Sequence, residues 1–445
     1  MALHSSPLVS TSIIPLADSQ ARAALAVLDR LFNRSLPRPF AIRFWDGTLV
    51  PSANGAAPLF TLVLNRPAAL RRMLLPGNEL ALGEAFLRGD FDIEGDIIAA
   101  MAQAEQVIQQ PPGLLARVLI TRHLLQLRDD GPPPVPQVPV KLRGRRHSRR
   151  RDLAAVTYHY NIGNTFFQLW LDQRMVYSCA YFPTGEETLD EAQEAKLEYI
   201  CRKLRLRPGE RFLDIGCGWG GLILYATEHY GVQALGVTLS EPQAQLARQR
   251  IAAAGLSSRC RVEVRDYRDL RRFGQFDKIA SVGMFEHVGR GPLPIYFREA
   301  FHLLRPGGLF LNHGIAAPQH DRHSQSIARR SFIDRYVFPD GDLVRISTTL
   351  DRAERAGFEV RDVESLREHY AQTLRHWVQR LEARREEAMH IAGEVTYRIW
   401  RIYMAGSAYN FARGNINVYQ ALLARPERNG RVNLPRTRAD LYRSS

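Results

Sequence analysis

The stretch Phe212-Leu-Asp-Ile-Gly-Cys-Gly-Trp-Gly-Gly221 constrains the fold more than any other part of the chain, because an apolar run of strand type breaks at four closely spaced glycines before a helical pattern begins. A backbone that turns so sharply needs residues without a Cβ, and positions 216, 218, 220 and 221 supply them. Unpaired N–H groups at the start of the next helix then face whatever lies above the turn, an arrangement suited to a nucleotide-like cofactor. The same geometry also serves dinucleotides, phosphates or plain tight packing. The ends of the next two strands decide between them.

A dinucleotide site would carry Asp or Glu at the end of the next strand. Here Gln233-Ala-Leu-Gly-Val237 runs into Thr238 and Leu239, with Gln243 one helical turn on and able to reach ribose hydroxyls through its amide. Val262-Glu-Val-Arg-Asp266-Tyr267 then ends in an acid and an aromatic, fitted to an exocyclic amine and a purine face. Phe276–Val282 and Gly308–His313 continue the alternation of strand and helix. That order predicts a parallel sheet covered on both sides.

Several of these segments carry a resemblance. Asp214-Ile-Gly-Cys-Gly-Trp-Gly-Gly221, Gly236-Val-Thr-Leu-Ser240 and Gly283-Met-Phe-Glu-His-Val-Gly289 resemble the cyclopropane-fatty-acyl-phospholipid synthases, which use S-adenosylmethionine. His159-Tyr-Asn-Ile-Gly-Asn164, Tyr177-Ser-Cys-Ala-Tyr-Phe182 and His369-Tyr-Ala-Gln-Thr-Leu374 are similar to further motifs of that family, so six ordered motifs fall between residues 156 and 420. The resemblance implies an α/β fold: a class I methyltransferase (Rossmann-like) doubly wound sheet with a helical lid, preceded by a small α+β domain. It implies S-adenosylmethionine held by Asp214, Gly216, Gly218, Gly220, Thr238, Leu239, Gln243, Asp266 and Tyr267, with Tyr177 and Ser178 closing over it. It further implies a bound bicarbonate as base, held by backbone groups of Cys179 and Ile315 and by the side chains of Glu286, His313 and Tyr370. Two positions depart from the family: Ser407 stands where cysteine is usual, and Asn161 where aspartate is.

The chemistry of an isolated alkene accounts for such a site. An alkene is a poor nucleophile, so the methyl donor must be a strong electrophile held in line. Methyl transfer leaves a carbocation in an apolar pocket, a base must take a proton from the new methyl group to close the ring, and water must be kept out. A bicarbonate O–H would donate to Glu286 while His313 and Tyr370 donate to its oxygens. Each residue also has an ordinary role open to it: Glu286 as a helix cap, His313 as a satisfied core histidine, Tyr370 as a stacked core ring. Ring closure needs no covalent enzyme intermediate, so Ser407 is compatible with activity.

The remaining sequence frames this domain. At 445 residues the chain is expected to hold two or three domains: an N-terminal α+β unit over 1–127, a Pro-rich and basic linker over 128–152, the methyltransferase domain over 153–425 and a tail over 426–445. In the first unit, strands are expected at Phe40–Phe44 and Leu59–Leu64 and helices around 68–73 and 80–87, with Gly89–Gly95 as a spacer before another helix. The amphipathic Leu114–Leu127 is read as a helix packed on its own domain, with a membrane-surface helix as the other reading. Leu374, Trp377, Val378 and Leu381 mark an apolar helical face near the C-terminus, a candidate acyl-channel lid.

Net charge of +14 calls for an anionic partner, and Lys141–Arg151 holds seven basic residues and no acid. Its functional reading is docking on anionic phospholipid, at about 1 kcal/mol per basic residue near the surface; its bland reading is a solvated tether. No nucleic acid is expected, because aromatic residues are not interleaved with the basic run. Four cysteines without metal spacing, no long apolar span and no convincing signal peptide fit a cytoplasmic enzyme peripherally bound to the inner face of the membrane. An unsaturated membrane phospholipid is the expected substrate and a homodimer a candidate state. Rival readings are a methyl- or methylene-branched product from the same cation, or a non-catalytic lipid- or nucleic-acid-binding module.

Overall fold

The computed structural model describes residues 18–32, 37–129, 131, 142, 144–160, 162–318 and 331–442. The chain forms two compact units, residues 1–136 and 137–445. Asn161 and most of the proline-rich stretch lie outside the described residues.

In the first unit, helix Ser19–Phe32 buries Ala24, Val27, Leu28 and Leu31, the i, i+3, i+4, i+7 stripe of an amphipathic helix. Strands β1 (Ala41–Arg43), β2 (Leu49–Val50), β3 (Phe60–Leu64) and β4 (Phe91–Gly95) make a sheet ordered β2-β1-β3-β4. Strand β4 corrects the expected spacer at 89–95. Phe91 and Ile93 are buried while Glu94 is exposed, a period of two that builds an edge strand antiparallel to β3. Helix Leu114–Gln126 buries Ile120 and Leu124, yet Leu114, Leu115, Val118 and Leu125 stay in solvent. The packed reading accounts for the face that carries Ile120 and Leu124.

The second unit carries seven strands: β5 (Arg211–Ile215), β6 (Gln233–Thr238), β7 (Cys260–Val264), β8 (Phe276–Val282), β9 (Leu304–Ala316), β10 (Glu359–Ser365) and β11 (Asn417–Ala424). Their order is β10-β11-β9-β8-β5-β6-β7. The five strands β5 to β9 pair in parallel, as the strand–helix alternation requires. The wholly parallel expectation fails at one edge, because β11 returns antiparallel between β9 and β10. Alternate residues of the central strands feed two cores. Phe212, Ala234 and Leu309 meet the helices Leu189–Leu204, Gly221–Tyr230 and Glu241–Ala253, while Leu213, Leu235 and Phe310 meet the helix Leu293–Leu303. Strands covered on both faces read as continuous apolar runs.

Segments at two of the expected boundaries make contacts of their own. The basic stretch 128–152 is anchored at both ends: Asp129 pairs with the buried guanidinium of Arg72 at 2.7 Å, and helix Arg149–Tyr160 starts inside it. Arg151 there makes a two-pronged pair with Asp340, and Arg149 reaches Asp269 at 2.9 Å. The tail also packs, since Leu441 is buried and Asp440 pairs with Arg205 at 3.0 Å.

Candidate active site

The order of strands reverses between β5 and β8, and in sheets of this kind ligands sit outside the carboxyl ends at that point. A cavity opens there, lined by Asp214, Gly216, Gly218, Thr238, Leu239, Gln243, Asp266 and Tyr267, with Tyr177 and Ser178 across from them. All these expected cofactor contacts come together. Gly220 does not join them: a Cβ on it would sit 3.2 Å from Ala247, so it serves the close approach of helix Glu241–Ala253. Gly218 is the contrasting case. Its φ is +53° and a Cβ there would meet no protein atom within 4 Å, leaving the space to a ligand.

Asp214, the penultimate residue of β5, is buried with Oδ1 lacking a partner among the described residues, and burial raises its carboxyl to about 7 although Lys196 pulls the other way. An orphaned buried acceptor beside an open glycine cradle fits the cationic amino-acid end of S-adenosylmethionine. Thr238 Oγ1 donates to Gln243 Oε1 at 2.8 Å, which fixes the amide above the strand end. Asp266 is more engaged than expected. Both of its oxygens are held by Arg268, which also reaches Asp152 at 2.9 Å; burial raises the Asp266 carboxyl, but the Arg268 bonds outweigh it and leave the group below its usual range.

Four cavity residues were not legible as such: Asp152, Tyr160, Lys196 and Trp219. Lys196 is buried and donates to Ser178 Oγ at 2.9 Å, while Gln193 Nε2 donates to the carbonyls of Val176 and Ser178. Helix Leu189–Leu204 thus holds the Tyr177-Ser178 segment from beneath. The signal lay in the sequence, since Gln193 and Lys196 fall on the stripe marked by Leu189, Ala192, Leu197 and Ile200, where a polar residue needs a reason. Burial brings the Lys196 ammonium down to about 8.

A second cavity of ≈ 540 Å³ adjoins the first, and Tyr160, Tyr177, Gly283 and His287 line both. Glu286, Ile315, Tyr370 and Ser407 line this second space. Aromatic rings make up part of its wall: Tyr177, Phe338, Tyr370, Tyr403 and Phe411 line it, with Tyr370 4.6 Å from Phe411 and Phe338 5.8 Å from Tyr403, while Trp377 and Trp400 back the Tyr177 ring from behind at 5.3 Å and 5.9 Å. Such faces favour a cation over water. Glu286 stands on the turn Phe285–His287 just after β8, and its Oε1 accepts from the Ile315 N–H at 2.7 Å. This N–H orients the Glu286 carboxylate. Glu286 Oε2 is buried without a partner among the described residues, and burial lifts the carboxyl to about 7 against the pull of the N–H bonds.

His313 and Cys179 line neither cavity. His313, on β9, is 1 % exposed, receives Gln420 Nε2 at Nδ1 (3.1 Å), and its Nε2 has no partner among the described residues; burial first, then Lys196 and Lys203, lowers it to about 3, so the ring is neutral. The Gly283 N–H, at the junction of the cavities, donates to the His313 carbonyl at 3.0 Å. Burial pushes the Cys179 thiol well up, so it stays protonated and non-nucleophilic. Ser407 is buried beside the Tyr403 hydroxyl.

Residues 147–421 match the family model described as Mycolic acid cyclopropane synthetase. The chain belongs to that family. Residues 27–110 match a second model, described as a domain of unknown function. Across the family the chain is 43% identical over 410 residues to a probable fatty acid methyltransferase of Pseudomonas putida, covering 92% of this chain and 98% of that one. It is 32% identical over 382 residues to the cyclopropane-fatty-acyl-phospholipid synthase of Escherichia coli strain K12, covering 85% and 91%. In three dimensions it resembles mycolic acid cyclopropane synthase CmaA1 complexed with SAH and CTAB, with a TM-score of 0.57 at 35% identity over 61% of this chain and 97% of that one. The fold is that of the class I S-adenosylmethionine-dependent methyltransferases, and this member of the cyclopropane synthetase family is a C-methyltransferase.

Proposed function

We propose that the enzyme adds a one-carbon unit from S-adenosylmethionine to a cis double bond in the acyl chain of a membrane phospholipid and closes a cyclopropane ring. The observation that carries this reading is the pairing of two cavities, one cut for the cofactor and one aromatic-walled, that share Tyr160, Tyr177, Gly283 and His287. When bound, S-adenosylmethionine supplies an electrophilic methyl group and bicarbonate a base. The chain's part is to hold the alkene in line at the junction, shield it from water with Tyr177, Tyr370 and Phe411, and present aromatic faces to developing positive charge. Glu286 Oε2, an acceptor on the second cavity, and His313 Nε2, a donor behind the cavity lining, are both buried without partners among the described residues, the acceptor and donor that an anion carrying one proton calls for. Tyr370, whose hydroxyl burial keeps protonated, is a further donor. In the second unit, exposed Arg145 and Arg150 offer charge to an anionic bilayer.

Ser407 on the wall of the second cavity favours a second reading, in which the same methyl transfer ends in a methyl- or methylene-branched chain because the cation loses a different proton. The test uses purified enzyme, unsaturated phospholipid vesicles and buffer freed of dissolved carbonate. Turnover should fall and return on adding bicarbonate; an enzyme indifferent to bicarbonate overturns the base assignment.

A further inference from the structure

His313 is one end of a buried polar chain that runs across the sheet. Gln420 stands directly opposite it in the β9–β11 ladder, and Lys203 approaches Gln420 from the last turn of helix Leu189–Leu204. Relative exposures are 1 % for His313, 1 % for Gln420 and 0 % for Lys203. Lys203 Nζ donates to Gln420 Oε1 at 2.8 Å, and Gln420 Nε2 lies 3.1 Å from His313 Nδ1. Donor chemistry sets the direction. An ammonium has donors only, so the amide must turn its oxygen to Lys203 and its NH2 to the imidazole. Nδ1 then accepts, and the ring proton resides on Nε2, the atom without a partner among the described residues. Glu364 bonds to the Lys203 ammonium and Asp362 lies 3.9 Å from it, which keeps that end of the chain charged.

We propose that Lys203 and Gln420 are positioning residues that lock His313 as a neutral imidazole with its proton on Nε2, so the ring serves the reaction as a fixed hydrogen-bond donor and never as its base. A second ring proton would set Nδ1–H against the Gln420 NH2. Turning the amide would set that NH2 against Lys203. Either conflict leaves a buried donor without an acceptor, so the chain resists both. The surroundings agree: Lys196 and Lys203 both face the ring from helix Leu189–Leu204, and burial with their charges lowers its proton affinity. The kinetic half of this proposal rests on reading His313 as a contact of bound bicarbonate. The protonation half does not.

The test is 15N NMR of the full chain labelled at histidine ring nitrogens, with His313→Ala used to assign the signal and the parent compared with Gln420→Glu. The parent ring should be neutral, protonated at Nε2 and constant from about pH 6 to 8. In Gln420→Glu the carboxylate accepts from both Lys203 and Nδ1, so a proton moves to Nδ1; turnover should fall about tenfold or more while S-adenosylmethionine affinity holds, because the donor acts only on the chemical step. If that variant does not fold, Lys203→Met removes the ammonium that orients the amide and should give mixed tautomers. A parent ring protonated at Nδ1, or one that titrates in that range, overturns the proposal. So does a Gln420→Glu enzyme with a switched tautomer and full turnover. Failure of the bicarbonate reading shows separately, as a parent indifferent to bicarbonate whose ring is still protonated at Nε2.

Discussion

Glu286 carries both a functional and a thermodynamic signature. Its carboxyl rises from 4.5 to about 7 on folding. Between those values the folded protein keeps a proton that the unfolded chain has released, so stability falls as pH rises through that window and the cost persists above it. Glu286→Gln keeps the Oε1 acceptor for Ile315 and removes the buried charge. Its gain over the parent should be near zero at pH 4.5 and about 1–3 kcal/mol at pH 8, with turnover reduced, as measured by denaturant unfolding at the two pH values. A gain that does not grow with pH would mean the ionised carboxylate is compensated. Gly218 gives the second prediction at this scale. Gly218→Val places a branched side chain in the open cradle at φ +53° and should raise the S-adenosylmethionine Kd about tenfold or more with the fold retained, whereas Gly220→Val drives into Ala247 and should lower stability. Calorimetry and thermal melts separate the two; equal affinity in Gly218→Val would remove the glycine turn from the site. Residues of this kind were legible because a turn motif is local, with φ and spacing written in consecutive positions. Lys196, Asp152 and Tyr160 were not, because their roles exist only once distant segments meet over β5.

Helix Arg149–Tyr160 shows how an element changes the meaning of a charge run. The sequence showed seven basic residues in Lys141–Arg151, yet at the helix start the guanidinium groups divide by direction: Arg151 is fixed on Asp340 while Arg150 is exposed, as is Arg145 in the bend before the helix. Replacing Arg145 and Arg150 by Ala should weaken binding to anionic vesicles, most at low salt, because exposed charges are screened within about 10 Å at 0.1 M ionic strength. Arg151→Ala should instead cost about 1 kcal/mol of stability through the lost two-pronged pair. Co-sedimentation and melting curves check both, and equal vesicle binding of the double variant would assign docking elsewhere. The parallel strands β5 to β9 could be read from apolar runs separated by helical patterns. Strands β10 and β11 could not: Glu359–Ser365 is an edge strand rich in charge, and Asn417–Ala424 is a short apolar run whose period does not separate strand from helix. Strand β4 was legible in the alternation of Phe91 and Ile93 with Asp92 and Glu94, but the flanking Gly89 and Gly95 gave the stretch the look of a loop.

At the scale of the whole molecule, the chain joins a unit matching a domain of unknown function to a unit matching the cyclopropane synthetase family, and among the described residues no helix is long and apolar enough to cross a membrane. Methylene addition to phospholipid acyl chains is read out by lipid analysis of a host that makes unsaturated phospholipids and expresses this chain. Mass spectrometry should show intact phospholipids gaining one CH2 per modified acyl chain, and NMR of the purified products should show cyclopropane ring protons in place of alkene protons, with both signals absent for Glu286→Gln. Unchanged lipids in cells that contain folded, cofactor-binding protein would contradict the account, and a methyl or methylene branch in place of the ring would contradict its assignment of the product.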